Sequence, residues 1–195
     1  YLRIQEAKKA VGAAQDALAA MPEKPEILDA LGKSQEVSGD FNQALAAYGK
    51  LAVSQPASPL AQMRMANVHL TSKNQEEAIK SLRKALEIKP DLLEAQRALI
   101  LIALKSKKPE DALAVARQVQ KQRPKEAIGM ALEGDIQAAG QHWPEAASAY
   151  RSALKLAAAP ELAIKLHSVY LAEKNRAEAA KTAAAWLKDH PKDVA

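Results

Sequence analysis

The amino-acid sequence predicts an all-α fold assembled from repeated helix pairs. Three observations point there. Alanine, the strongest helix former, supplies 43 of the 195 residues. Aromatic residues make up only 4% of the chain and β-branched residues are thin, so a sandwich, barrel or open sheet lacks its usual building blocks. A period of 34 residues also runs through the chain: Pro22, Pro56, Pro90 and Pro124 follow one another at that spacing, and Pro191 lies two periods further on, one of them a residue short. With 48% hydrophobic and 26% charged residues, the chain is globular rather than disordered.

Other columns keep the same register. Ala10, Ala44, Ala78, Ala112, Ala146 and Ala179 form one. Leu31, Met65, Leu99 and Leu166 form a second, and Gly32, Ala66 and Gly134 a small-residue third. Tyr48, Leu82 and Tyr150 hold a large position, and Leu51, Ala85, Val119 and Ala153 another apolar one.

The elements follow in order. Residues 1–24 fit the second helix of an earlier, truncated repeat. Over 26–38, Ile27, Leu28, Leu31 and the Gln35–Val37 stretch recur on one helical face, and Gly39-Asp40 breaks the helix. Over 41–54 the face is Phe41, Ala44, Leu45, Tyr48 and Leu51. Pro56 ends that helix, because proline cannot donate and restricts the residue before it. The period carries this helix–turn–helix unit along the chain. Pro109 and Pro144 fall where second helices begin, a position proline favours. The alanine column sits in the first turn of each second helix, where a larger residue would overpack a helix contact at a cost of about 1–3 kcal/mol.

The spacing Leu28, Leu31, Gly32, Ala44, Tyr48, Leu51, Pro56 resembles a tetratricopeptide repeat. The resemblance covers nearly the whole chain. It places repeats at 25–58, 59–92, 93–126, 127–159 and 160–192, with 193–195 opening a following repeat. It implies one continuous right-handed superhelical solenoid of antiparallel helix pairs, a fragment of a longer array. Two repeats depart from the pattern: Ile100 replaces the small residue and Ala116 the large one, and Glu133 stands at an apolar position beside Leu132. A narrower resemblance rests on Leu132–Ile136, Lys165–His167 and Trp186–Pro191. These stretches are similar to the bacterial tetratricopeptide lipoproteins associated with exosortase (PEP-CTERM) protein sorting and exopolysaccharide production. That resemblance implies a bacterial envelope or periplasmic protein, lipid-anchored in its full length; a cytoplasmic location is the alternative.

No residue set suggests a reaction. The chain has no Cys, so disulfides, thiol catalysis and Cys-based zinc sites are excluded. His69, His142, His167 and His190 lack metal-ligand spacing and read as packing or surface residues. Gly32-Lys33-Ser34 resembles the tail of a phosphate loop, but Ile27 stands where the upstream glycine is required. Glu76-Glu77 and Glu110-Asp111 are paired carboxylates that open second helices, where they complement the helix dipole. Neither a cofactor nor a metal is expected, and no apolar run reaches the length of a bilayer span.

Binding is the expected activity. In the tetratricopeptide resemblance the first helices line a concave groove, whose predicted readers are Lys33, Met63, Asn67, Leu70, Arg97, Leu101, Leu104, Lys105 and Asp135. Asp29 and Glu36 share the face, as do Ile164, Ser168 and Leu171. The family's carboxylate clamp for acidic C-terminal peptides is not assembled in any three consecutive repeats. Charge is uneven. Residues 80–125 contain 12 Lys+Arg against 5 Asp+Glu, whereas the rest of the chain is slightly acidic. Lys80, Arg83, Lys84, Arg117 and Lys121 form a candidate basic patch on second helices, facing outward. The stretch contains no Phe, Tyr or Trp, so RNA-type stacking is not expected. Three readings follow: a non-enzymatic scaffold binding a protein or peptide in its groove, a structural spacer, and a binder of an anionic polymer such as a polysaccharide through the basic patch.

Overall fold

A computed structural model describes residues 2–22 and 24–191, so the expectation for 193–195 lies outside the described residues. Among the described residues the chain forms eleven α-helices and no strand, as the all-α expectation requires. They are α1 (Leu2–Ala20), α2 (Pro25–Ser38), α3 (Phe41–Ser54), α4 (Leu60–Thr71), α5 (Gln75–Ile88), α6 (Leu93–Lys105), α7 (Pro109–Gln122), α8 (Ile128–Ala139), α9 (Trp143–Leu156), α10 (Pro160–Ala172) and α11 (Arg176–Asp189). The even-numbered helices are the first helices of the repeats and the odd-numbered ones the second.

The chain divides into two compact units, residues 1–98 and 99–195, with the division inside α6. In unit one, α1 packs on α2, α2 on α3, α3 on α4 and α4 on α5. Its core gathers Leu28, Ala44, Tyr48, Leu51, Ala61 and Val68, with Leu18, Phe41 and Met65 against them. In unit two, α7 packs on α8, α8 on α9, α9 on α10 and α10 on α11. A hydrophobic cluster there joins Tyr150, Leu162, Leu166, Val169 and Tyr170 to Ala146, Ala147, Ala153 and Ala179. Burial of this apolar surface is the main stabilising force in each unit.

The 34-residue period is written into the backbone. The turn between the helices of each pair contains one left-handed residue: Gly39 and Lys73 in unit one, Lys107, Gln141 and Lys174 in unit two. The next amide then donates back to the carbonyl five residues earlier. Asp40 N–H reaches Gln35 O, Asn74 N–H reaches His69 O, Lys108 N–H reaches Ala103 O, His142 N–H reaches Gln137 O, and Asn175 N–H reaches Tyr170 O. This is the Schellman closure, which satisfies carbonyls that a helix end leaves open. Asn74 and Asn175 also cap α5 and α11 by accepting from the Glu77 and Glu178 amides.

Five members of the alanine column, Ala44, Ala78, Ala112, Ala146 and Ala179, are buried as the spacing suggests, whereas Ala10 on α1 is exposed and Ala7 is the buried alanine there. The departures also have physical accounts. Gly32 faces Tyr48 and Gly134 faces Tyr150, small against large, whereas Ile100 and Ala116 are both buried with the sizes exchanged. Glu133 at its apolar position accepts a hydrogen bond from Gln120 Nε2 at 2.6 Å, while Leu132 is buried beside it. Gly32-Lys33-Ser34 lies within α2, not in a loop, and Glu76-Glu77 and Glu110-Asp111 lie in the first turns of α5 and α7.

Candidate functional site

Each unit presents a face built by its first helices, on which polar contacts hold one repeat to the next. In unit one, Asp29 of α2 is the hub. Lys33 Nζ pairs with Asp29 Oδ2 at 2.6 Å, and Arg64 Nε of α4 donates to Asp29 Oδ1 at 2.9 Å. Burial pushes the Asp29 carboxyl up, but hydrogen bonds from Lys33 and Arg64, reinforced by their charges, hold it below its ordinary value. A second link lies two turns on. Glu36 of α2 accepts from Tyr48 Oη at 3.2 Å and from Asn67 Nδ2 of α4. Two of the predicted readers, Lys33 and Asn67, are therefore tied into links between neighbouring groups. Met63, Asn67 and Leu70 share one face of α4 by helical spacing; Met63 is half-buried, whereas Asn67 and Leu70 are exposed. Arg97 is exposed on the first half of α6.

Unit two repeats the design with other residues. Asp135 of α8 accepts from Tyr150 Oη of α9 at 2.6 Å and from Lys165 Nζ of α10 at 2.6 Å. The Lys165 ammonium also lies 5.8 Å from the centre of the Tyr150 ring, a cation–π distance. Burial, then the adjacent carboxylates, push both tyrosine hydroxyls up: Glu36 acts on Tyr48 and Asp135 on Tyr150. Both tyrosines thus remain protonated donors throughout the physiological range.

Beside this polar scaffold stand large exposed apolar side chains. Leu101 and Ile164 are each 59% exposed and Leu171 is 50% exposed, all on first helices of unit two. Leu104 is half-buried and Lys105 exposed, so of the predicted leucine pair only Leu101 is chiefly surface. The register that named the groove positions also marked Ile164 and Leu171. It missed Arg64 and Lys165, the bridging cations, because a salt bridge between repeats leaves no signal in a single repeat's pattern.

The predicted basic residues lie on α5 in unit one, Lys80, Arg83 and Lys84, and on α7 in unit two, Arg117 and Lys121; all five are exposed. Lys80 pairs with Glu77 at 2.5 Å, which lowers the Glu77 carboxyl and raises the Lys80 ammonium from their ordinary values. The other four form no ion pair among the described residues.

Three of the four histidines make local contacts: His142 Nδ1 lies 3.0 Å from Gln137 Oε1, His167 Nδ1 lies 3.0 Å from Ala179 O, and His190 stacks on Trp186. Among the described residues no three His, Asp or Glu side chains are placed to hold a metal ion, and no helix is long and apolar enough to cross a membrane.

No curated protein matches the chain. Solved structures do. The chain is similar to a MamA protein, with 19% identity and a TM-score of 0.62 over 90% of this chain and 98% of that one. It is also similar to a tetratricopeptide repeat protein from Parabacteroides merdae, with 14% identity and a TM-score of 0.65 over 91% of this chain and 71% of that one. A third likeness is to YrrB, described as a TPR protein with an unusual peptide-binding site, with 17% identity and a TM-score of 0.57 over 94% and 95% of the two chains. At these identities the likenesses establish the fold. The family model for the tetratricopeptide repeat matches residues 30–92 and 97–163, about two thirds of the sequence, and the chain belongs to the tetratricopeptide repeat family.

Proposed function

We propose that the chain is a non-enzymatic interaction scaffold that takes a protein or peptide segment on its first-helix faces. The observation that carries this reading is the exposure of Leu101, Ile164 and Leu171 beside charges that are already paired. Exposed large apolar side chains favour a partner with apolar side chains of its own. YrrB, which shares the fold, is described as having a peptide-binding site, and this supports the same use here.

The test uses immobilised protein to capture partners from extract of its source cells, with Leu101→Glu/Ile164→Glu beside it. Both positions are mostly exposed, so the variant is expected to keep its helical circular dichroism. Partners held by the parent and lost by the folded variant support the reading. Equal capture by both removes the first-helix face of unit two from it and leaves the spacer reading in its place.

The envelope role belongs to the proposal too, supported by the resemblance of Leu132–Ile136, Lys165–His167 and Trp186–Pro191 to the exosortase-associated lipoproteins. Fractionation of the source cells tests it, and recovery in the cytosolic fraction alone would sink it.

A further inference from the structure

The second helices of unit two have a charge pattern that the groove does not use. Arg117 and Arg151 are 34 residues apart, and Lys121, Lys155 and Lys188 continue at 34 and 33. These five cations therefore occupy matching positions on α7, α9 and α11, and all are exposed. Each helix buries the opposite side: Ala112, Ala116 and Val119 on α7, Ala146, Tyr150 and Ala153 on α9, and Ala179 on α11. Apart from Asp189, the acids of these helices lie in the first turns, as Glu110, Asp111, Glu145 and Glu178. In the last two turns of the three helices Asp189 is the one carboxylate.

Like Arg83 and Lys84 on α5, this row is not taken up by ion pairs among the described residues. Lys33, Arg64, Lys80, Arg123, Lys165 and Lys181 all have carboxylate partners. Arg117, Lys121, Lys155 and Lys188 have none among the described residues, and Arg151 makes one hydrogen bond, to the Tyr170 hydroxyl. Clefts run between the second helices beside the row. Arg117 and Glu145 line one between α7 and α9. A larger cleft of about 480 Å³ lies between α9 and α11. Leu154, Ala163 and Trp186 give it an apolar lining, and Arg151 stands at its wall; Glu178, already paired with Lys181, and Asp189 also border it.

We propose that this outer face of unit two docks an acidic, amphipathic protein segment. Its carboxylates would lie along the row Arg117, Lys121, Arg151, Lys155 and Lys188, and an apolar side chain would enter the α9–α11 cleft. The combination decides between partners. Unpaired cations attract any polyanion. An apolar cleft touching the same row rewards only a partner that carries hydrophobic side chains, which neither a nucleic acid backbone nor an acidic polysaccharide has. This surface is independent of the first-helix face, so either can fail without the other.

The experiment titrates the protein with a fluorescein-labelled synthetic peptide repeating Glu-Glu-Leu-Glu. Control peptides replace every Glu by Gln or every Leu by Ser, and a sulfated polysaccharide and duplex DNA serve as competitors. Anisotropy reports binding. Trp143→Phe leaves Trp186 as the remaining tryptophan, so its emission reports occupancy of the cleft. The expected result is binding of the Glu/Leu peptide with a change in Trp186 emission, lost with both control peptides. It should weaken about tenfold or more in Lys121→Glu/Lys155→Glu, and stay unchanged in Leu101→Glu/Ile164→Glu. Equal binding of the Leu-to-Ser peptide, stronger binding of the polysaccharide or the DNA, or unchanged affinity in the folded Lys121→Glu/Lys155→Glu variant would each overturn the proposal.

Discussion

Tyr150 occupies the space that a side chain on Gly134 would need: its Cε1 lies 2.5 Å from where a Cβ on that glycine would stand, and Tyr48 stands against Gly32 in the same way. The glycine is there for the close approach of ring to helix. Gly134→Ala is expected to destabilise unit two by about 1–3 kcal/mol through overpacking, although alanine is the better helix former by about 1 kcal/mol. The chain contains its own rescue, because Ala66 and Leu82 hold the equivalent positions in another repeat. Gly134→Ala/Tyr150→Leu should recover part of the loss. Gly12→Ala is the control, since a Cβ there meets nothing within 4 Å, and it should stabilise α1. Urea unfolding followed by circular dichroism reads all three, and a neutral Gly134→Ala would refute the packing account.

Asp29 ties α2 to α4 through Arg64, and its carboxyl is held below the ordinary value of 3.8. A depressed carboxyl stabilises the fold above its unfolded-state value and loses that contribution as pH falls through the folded-state value. Asp29→Asn is therefore expected to be less stable than the parent at neutral pH, with the gap closing as the pH falls below 3.8 and through the folded-state value. The Asp29 side chain is 15% exposed and that of Arg64 34%, so the coupling in an Asp29→Ala/Arg64→Ala double-mutant cycle should be about 0.5–1 kcal/mol. A gap that widens in acid would reverse the assigned sign.

These two contacts show what a sequence of this kind discloses. Gly32, Tyr48, Gly134 and Tyr150 were legible because the repeat places small opposite large at a constant register, and packing constraints recur with every period. Asp29–Arg64 and Asp135–Lys165 were not, because ion pairs between repeats depend on which residues happen to face across one interface. The exchanged pair Ile100 and Ala116 read as a departure from the pattern, yet both are buried, with large and small exchanged. The groove positions Leu101, Ile164 and Leu171 followed from register, whereas the half-burial of Leu104 did not. The row from Arg117 to Lys188 was present in the 34-residue spacing but was masked by counting charge over 80–125, a window that stops before Arg151, Lys155 and Lys188.

Lys107 and Lys174 adopt left-handed conformations, with φ of 56° and 64°, at the turn position that Gly39 fills with φ of 87°. A β-carbon is disfavoured there by about 1 kcal/mol, which glycine avoids. Lys107→Gly and Lys174→Gly should each stabilise unit two by about 0.5–1 kcal/mol, and Gly39→Lys should destabilise unit one by a similar amount. Chemical denaturation of the three variants checks the set. Destabilisation by both lysine replacements would mean that these side chains make contacts worth more than the backbone strain.

Asp135 separates a residue that reads a partner from one that holds the face in place. It accepts from Tyr150 Oη and Lys165 Nζ, so its two oxygens already have donors. Asp135→Ala leaves the tyrosine hydroxyl and the Lys165 ammonium without that acceptor, and is expected to cost about 1–2 kcal/mol. Tyr150→Phe should cost less, because it removes a donor and leaves the Asp135–Lys165 pair intact. The cycle between Asp135→Ala and Tyr150→Phe should return a favourable coupling, since the hydroxyl depends on the carboxylate. Leu101→Glu, by contrast, changes an exposed side chain and should leave stability within about 0.5 kcal/mol of the parent. If Asp135→Ala instead leaves stability unchanged and only partner capture falls, Asp135 is a reader of the partner and the interhelical link is dispensable.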